Sequence, residues 1–259
     1  MPILMNNTMR LIIIAVACLL LLSAAGCATS PKSDLDLTYA LPRHQARDII
    51  KDDVRYAVDV YDPLEGMNRR IYTFNYYFDK FLYLPVVNTY EFITPDYVED
   101  RVSSFVDNVF EFNNFVNNLL QFKVKETCIT LARFLVNTTV GVAGLWDPAT
   151  GWGMPRQTED FGQTLGRWGV ANGPYIVLPV FGPSNLRDTT GLVVDSVAFS
   201  TLGPPMWVDN EDAELIFMGV SAVDKRHRES FRYFQSGSPF EYDMIRMLYT
   251  SKRQIEIAK

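Results

Sequence analysis

Hydrophobic and polar positions along this chain recur with helical rather than strand periodicity. Leu64, Met67, Ile71, Phe74 and Phe78 follow one another at spacings of three and four, and Glu65, Asn68, Tyr72, Asn75 and Asp79 form the opposite stripe. That pattern predicts an amphipathic helix. A second, longer stripe runs Val98, Val102, Phe105, Val109, Phe112, Val116 and Leu119, with Asp107, Asn108, Asn113, Asn114, Asn117 and Asn118 on the other side. Start signals support these assignments. Asp62-Pro63-Leu64-Glu65 offers a cap, a proline at the first helical position and a glutamate three residues after the cap. Thr94-Pro95-Asp96 repeats the cap and proline, and Ser238-Pro239-Phe240-Glu241 reads as a capping box. Further helices are expected over Lys123 to Thr139, from near Ser184, over Asp212 to Phe234, and from Pro239 to about Ile257.

Convincing period-2 strands are absent, so the expected fold class is all-α. Pro148, Gly151, Gly153 and Pro155 make Asp147 to Thr158 a loop that could carry a small hairpin. Trp168 to Leu186 is uncharged but broken by Gly169, Gly173, Pro174, Pro179, Gly182 and Pro183. Such breakers exclude a spanning helix, whose backbone must satisfy its own hydrogen bonds in hydrocarbon. Trp146, Trp152, Trp168 and Trp207 adjoin uncharged apolar stretches. Two readings stand for them: core packing, or a seat in a bilayer interface.

The N-terminus changes the picture from a helical domain to an exported one. Arg10 precedes the apolar run Leu11 to Leu22, followed by Ser23, Ala24, Ala25, Gly26 and Cys27. A short apolar core ending in small residues is a cleavable signal. Its end on Gly-Cys marks Cys27 for lipidation, with diacylglycerol on the thiol and an N-acyl chain, and no other cofactor is expected. Residues 1–26 are then the signal peptide, 27–58 a lipidated polar tether, and 59–259 a single helical domain. Of the three cysteines, Cys18 leaves with the signal, and Cys128, among Ile129, Leu131 and Phe134, reads as a small buried hydrophobe. No disulfide framework is expected.

Charge narrows the functions. The chain carries 24 basic and 30 acidic residues; without Arg10 the mature protein has 23 against 30, a formal net charge of −7. An acidic chain with no basic patch does not suit nucleic acid or electrostatic membrane binding. Catalytic signatures are missing too. There is no Gly-x-Ser-x-Gly elbow and no Gly-Lys pair for a phosphate loop, and the only histidines are His44 and His227. Neither has a neighbour at metal-ligand spacing. His227 reads as a surface residue on a helix, and Glu159-Asp160 as part of a solvated loop. The chain is expected to be neither an enzyme nor a metalloprotein. What stands out is neutral polarity: five asparagines lie from Asn108 to Asn118, although asparagine is a mediocre helix former. Helix–helix hydrogen bonding and a polar passage both account for that density.

Several ordered motifs carry a resemblance. Residues 62–69, DPLEGMNR, resemble the DPLEGFNR signature of the MlaA/VacJ family of outer-membrane lipoproteins, with Met67 where phenylalanine is usual. Asn117 to Gln121 is similar to its VNNLLQG segment, with Phe122 in place of the glycine. Arg133 to Thr138 is similar to RFLLNST, and Asp160 to Gly166 with Gly169-Val170 to DFGQTLGxWGV. The likeness is strong over Asp62 to Gly191 and weaker beyond. It implies a ring of amphipathic helices embedded in the periplasmic-facing leaflet of the outer membrane, around a central polar channel. Through it, mislocalised phospholipids would leave the outer leaflet for a periplasmic carrier, MlaC, with a trimeric porin as a further partner. On this reading Asn68, Tyr72, Asn75, Asn113, Asn114, Asn117 and Asn118 are candidates to line the channel, and Gly141, Gly144, Gly151 and Gly153 flank a loop that gates it. The alternatives are a structural lipoprotein bracing porins and a lipid-modifying enzyme.

Overall fold

The computed structural model describes residues 60–204 and 211–259. Cys27, the signal peptide, the tether and Trp207 lie outside them. The described part is helical, with one two-stranded hairpin. Helix α1 (Glu65–Phe78) runs through a π-helical turn, Asp79–Tyr83, into α2 (Leu84–Ile93). Helix α3 (Asp96–Leu120) turns back over three residues, with Phe122 at φ 59°, into α4 (Val124–Thr139). A single helical turn, α5 (Pro148–Gly151), and a short helix, α6 (Phe161–Arg167), precede strands β1 (Tyr175–Leu178) and β2 (Gly182–Asn185). Helices α7 (Leu186–Leu202), α8 (Glu211–Arg228) and α9 (Glu241–Ala258) complete the order.

The start signals locate the helices but not their caps. Asp62 does not cap α1: the cap position is Leu64, without a side-chain bond. The Asp62 carboxylate instead accepts from Asn68 Nδ2 (2.8 Å), Tyr242 Oη (2.5 Å) and Arg246 Nη1 (3.1 Å). A buried carboxylate gains more from three donors than from one cap amide. Glu241 is likewise drawn from its capping box to Tyr72 Oη (2.8 Å) and the Phe234 and Ser236 amides. Helix α8 stops at Arg228 rather than Phe234, because the Arg226 guanidinium binds the Glu229 and Phe231 carbonyls outside the helix.

The hairpin lies at 175–185, not within Asp147 to Thr158, where α5 forms under an Asp147 cap. Antiparallel pairing runs from Tyr175↔Asn185 to Leu178↔Gly182, and Val180 at φ 69° turns the corner. The breakers that exclude a spanning helix here allow this tight turn.

Polarity is inverted relative to an ordinary domain. Among the described residues eight hydrophobic side chains are buried, against twenty-five polar or charged ones, and thirty-nine large hydrophobics are exposed. On α1 the predicted apolar stripe faces out: Leu64, Met67 and Phe74 are exposed, while Asn68, Tyr72, Asn75 and Asp79 are buried. On α3, Val98 and Leu119 are exposed, and Glu111, Asn114, Asn117 and Asn118 are buried. The same inversion corrects the reading of Cys128, which is exposed on α4 because Thr127, Thr130, Arg133 and Asn137 take its inward face. Trp146, Trp152 and Trp168 are exposed. No helix among the described residues is long and apolar enough to cross a membrane.

Candidate functional site: a polar interior

The interior is assembled from hydrogen bonds where other proteins use hydrocarbon. It begins where α1 meets β1. Asn68 donates to the Tyr175 carbonyl (3.1 Å) and accepts from the Val177 amide (2.9 Å). Asn75 donates to the Leu178 carbonyl (2.9 Å) and accepts from the Val180 amide (2.7 Å). Each asparagine side chain thus serves as a piece of neighbouring strand for the open edge of β1. The spacing fits: seven helical residues rise about 10.5 Å, and the bonded points on the hairpin, three residues apart, span about 10 Å. Tyr72, between them, donates to Glu241 and meets Tyr233, Phe234 and Tyr242 edge-on.

A second polar layer joins α3, α4 and α6. Asn114 donates to Glu111 (3.1 Å) and accepts from the Glu159 amide (3.1 Å). Asn117 donates to Asp195 (2.9 Å) and accepts from Thr164 (2.8 Å). Asn118 donates to the Asn114 carbonyl (2.8 Å). Asn113 is half-buried and contributes its carbonyl to Asn117. Glu159, expected in a solvated loop, is buried between Lys123 (2.7 Å) and Gln121 (2.9 Å).

Charged residues outside the set of candidate channel residues complete the interior. Arg133, 2% exposed, donates to Glu111 (2.8 Å), Asp147 (2.9 Å), Thr150 (3.0 Å) and the Met154 carbonyl (2.5 Å). From Glu111 the charges continue through Arg156 (3.9 Å) to Asp107, then Arg228 (3.0 Å) and Asp224 (2.5 Å). Burial raises the Asp147 carboxyl, but bonds from Thr150, Arg133 and Asn137 prevail and bring it down to about 2. Near the C-terminus Arg253 grips Asp160 with both terminal nitrogens (2.7 and 2.8 Å) and Asp188 with Nε (2.9 Å). Desolvation opposes ionisation of Asp160, yet the Arg253 pair holds it below the usual carboxylate range. Asp160 and Arg133 lie in motifs noted in the sequence, but a charge at an inward position cannot be told from a surface charge by periodicity alone. His227 sits on α8, as expected, with Nδ1 2.8 Å from Glu91.

The four loop glycines divide into two kinds. A Cβ on Gly141 would meet the Trp146 and Asn137 carbonyls at 2.3 and 2.4 Å, and one on Gly144 (φ 89°) would strike the Asn108 side chain at 2.6 Å. Nothing crowds Gly151 or Gly153 (φ 80°) within 4 Å. Val142, Ala143 and Gly144 form a left-handed run, which stores backbone strain.

Fold and site together define a class: a helical body with polar groups inside, hydrophobic side chains outside, and no helix among those described that spans a bilayer. The family model described as MlaA lipoprotein matches residues 60–256, and the chain belongs to this family. An uncharacterized protein of Rickettsia felis is 41% identical over 170 residues, 66% of each chain, so the chain spans just under two thirds of that relative's length. The intermembrane phospholipid transport system lipoprotein MlaA of Haemophilus influenzae is 32% identical over 178 residues, covering 68% of this chain and 70% of that one. Its namesake in Escherichia coli is 37% identical over 139 residues, 52% and 55% of the two chains. A structure solved in work on the structural basis for maintenance of bacterial outer membrane lipid asymmetry superposes with a TM-score of 0.61 at 28% identity, covering 76% of this chain and 98% of that one.

Proposed function

We propose that this protein takes mislocalised phospholipids from the outer leaflet of the outer membrane and hands them inward, preserving lipid asymmetry without altering the lipid chemically. The lipid on Cys27 anchors it in the periplasmic-facing leaflet, a trimeric porin holds it, and the periplasmic carrier MlaC receives its cargo.

The inverted polarity carries this reading. A body with thirty-nine exposed large hydrophobics among its described residues and a hydrogen-bonded polar interior suits a hydrocarbon surround. Pulling two acyl chains into water costs about 0.8 kcal/mol per methylene, so on the order of 25 kcal/mol for some thirty groups. A protein lying in the leaflet removes most of that barrier by giving the headgroup a polar route while the chains stay in hydrocarbon. In this reading the asparagines Asn68, Asn75, Asn114, Asn117 and Asn118, with Tyr72, are the rigid wall of the route, since their polar atoms already hold the helices together. Asn113 and the partly exposed Asp107, Arg156 and Arg228 meet the passing headgroup, and the loop from Gly141 to Gly153 covers the mouth.

The test is the phospholipid content of the outer leaflet in a deletion strain. It should rise, fall again with the wild-type gene, and stay high with Asp107→Leu combined with Arg156→Leu. Normal surface lipid in the deletion strain would leave the porin brace as the better account. Lysolipid or free fatty acid released by the purified protein would point instead to an enzyme.

A further inference from the structure

A cavity of roughly 610 Å³ lies where α8 covers α3 and α4, on the apolar side of α3 rather than in the polar interior. Phe105, Val109, Phe134, Ile216 and Phe217 line it. Its size is that of a small-molecule or lipid-chain pocket, and Ile216 at its rim belongs to the exposed hydrophobic surface.

Polar groups are few among its described lining residues. Asn108, 4% exposed, lines the cavity and spends its Nδ2 on Thr138 Oγ1 (3.0 Å), while its Oδ1 has no hydrogen-bond partner. A buried carbonyl left unpaired is costly, so it is a place where a ligand donor gains affinity. Gly144 packs directly on this amide, which keeps it from turning away toward the loop. Among the described residues Glu214 is the only charged side chain in the lining, and no lysine or arginine is among them. Apart from the Thr138 hydroxyl, which is engaged by Asn108, the polar atoms offered by the described lining residues are acceptors: one unpaired amide carbonyl and one carboxylate.

We propose that this cavity holds one acyl chain of a phospholipid whose head carries N–H donors, an aminophospholipid such as phosphatidylethanolamine, in preference to an anionic phosphatidylglycerol. The chain fills the apolar volume, and the ammonium head pairs with the Glu214 carboxylate, whereas a phosphoglycerol head can donate only neutral hydroxyls and brings an uncompensated negative charge beside it. The inference deepens the transport reading and rests on it, by naming a resting site and a headgroup class for the cargo.

The test uses the full-length lipoprotein in nanodiscs holding palmitoyl-oleoyl phosphatidylethanolamine and phosphatidylglycerol in equal amounts. Lipid that stays bound after extraction is read by native mass spectrometry. Phosphatidylethanolamine should be enriched about tenfold, the ratio one charge-assisted hydrogen bond supports. Glu214→Gln should bring the two lipids closer to equal occupancy, and Ile216→Trp at the open rim should lower occupancy of both. Val109→Trp, deeper in the cavity, should do the same, with its helical circular dichroism checked for folding. Equal binding of the two lipids, or occupancy unmoved by either tryptophan, overturns the site. So does loss of porin co-purification in Ile216→Trp with lipid occupancy intact, which would make the cavity a protein-docking groove. None of those results would touch the transport reading, which fails if outer-leaflet lipid is normal in the deletion strain or if the purified protein releases lysolipid or free fatty acid.

Discussion

Asn68 shows how much a single amide does when the surrounding core is polar. Both of its polar ends are engaged by the backbone of β1, and the residue is 0% exposed. Asn68→Leu keeps the volume but strands the Tyr175 carbonyl and the Val177 amide. The expected loss is about 3 kcal/mol, a fall of several degrees in thermal melting of the detergent-solubilised protein. A melt unchanged within error would mean that the hairpin finds other partners. Arg133 and Glu111 behave as a pair rather than as two residues. Removing one charge leaves the other buried and uncompensated, so Arg133→Leu should destabilise by about 3–5 kcal/mol, and adding Glu111→Leu should recover a large part of that loss. Urea unfolding of the two single variants and the double variant measures the difference. Asp147 supplies a pH signature. Its folded pKa lies below its ordinary value, near 2. Its contribution is therefore fully present above about pH 4 and is lost as pH falls through about 2. Acid titration of the melting temperature should lose part of its slope in that window in Asp147→Asn.

At the scale of elements, the same helices read differently from the two sides of their amphipathic pattern. Periodicity in α1 and α3 is strong and correct, but it says only that the two faces differ. Which face points inward depends on what lies outside. The connection from α4 to α5 carries a sharper constraint. Gly144 combines a left-handed φ with a side-chain position already filled by Asn108. Gly144→Ala should therefore destabilise the protein by more than about 1 kcal/mol, through strain and through the forced shift of Asn108. Hydrogen exchange of the amides from 140 to 146 reports whether the loop opens as a result. Protection equal to wild type would show that the loop accommodates a Cβ freely.

For the whole molecule, the proposed function divides the membrane work between anchor and body. In that reading a lipid on Cys27 serves delivery, while the exposed hydrophobic surface belongs to the folded body. Cys27→Ala should cut the outer-membrane fraction of the protein sharply in sucrose-gradient fractionation, yet a body that does reach the outer membrane should still lower surface phospholipid. Normal localisation of Cys27→Ala would overturn that ordering. The sequence by itself determined the helical class, the positions of most helices to within a few residues, the exclusion of a spanning segment at Trp168 to Leu186, and the family, because these rest on local periodicity, breakers and ordered motifs. It did not reveal the hairpin at 175–185, the small helices α2, α5 and α6, the exposure of Cys128, or the ion pairs through Arg133, Asp107 and Arg253. Those depend on partners far apart in the chain: Asn68 meets Val177, Tyr72 meets Glu241, and Asp160 meets Arg253. Only the tertiary structure decided that the polar stripes face inward, because burial of asparagine and glutamate is favourable only once most of their polar atoms have partners, and that pairing exists nowhere except in the assembled fold.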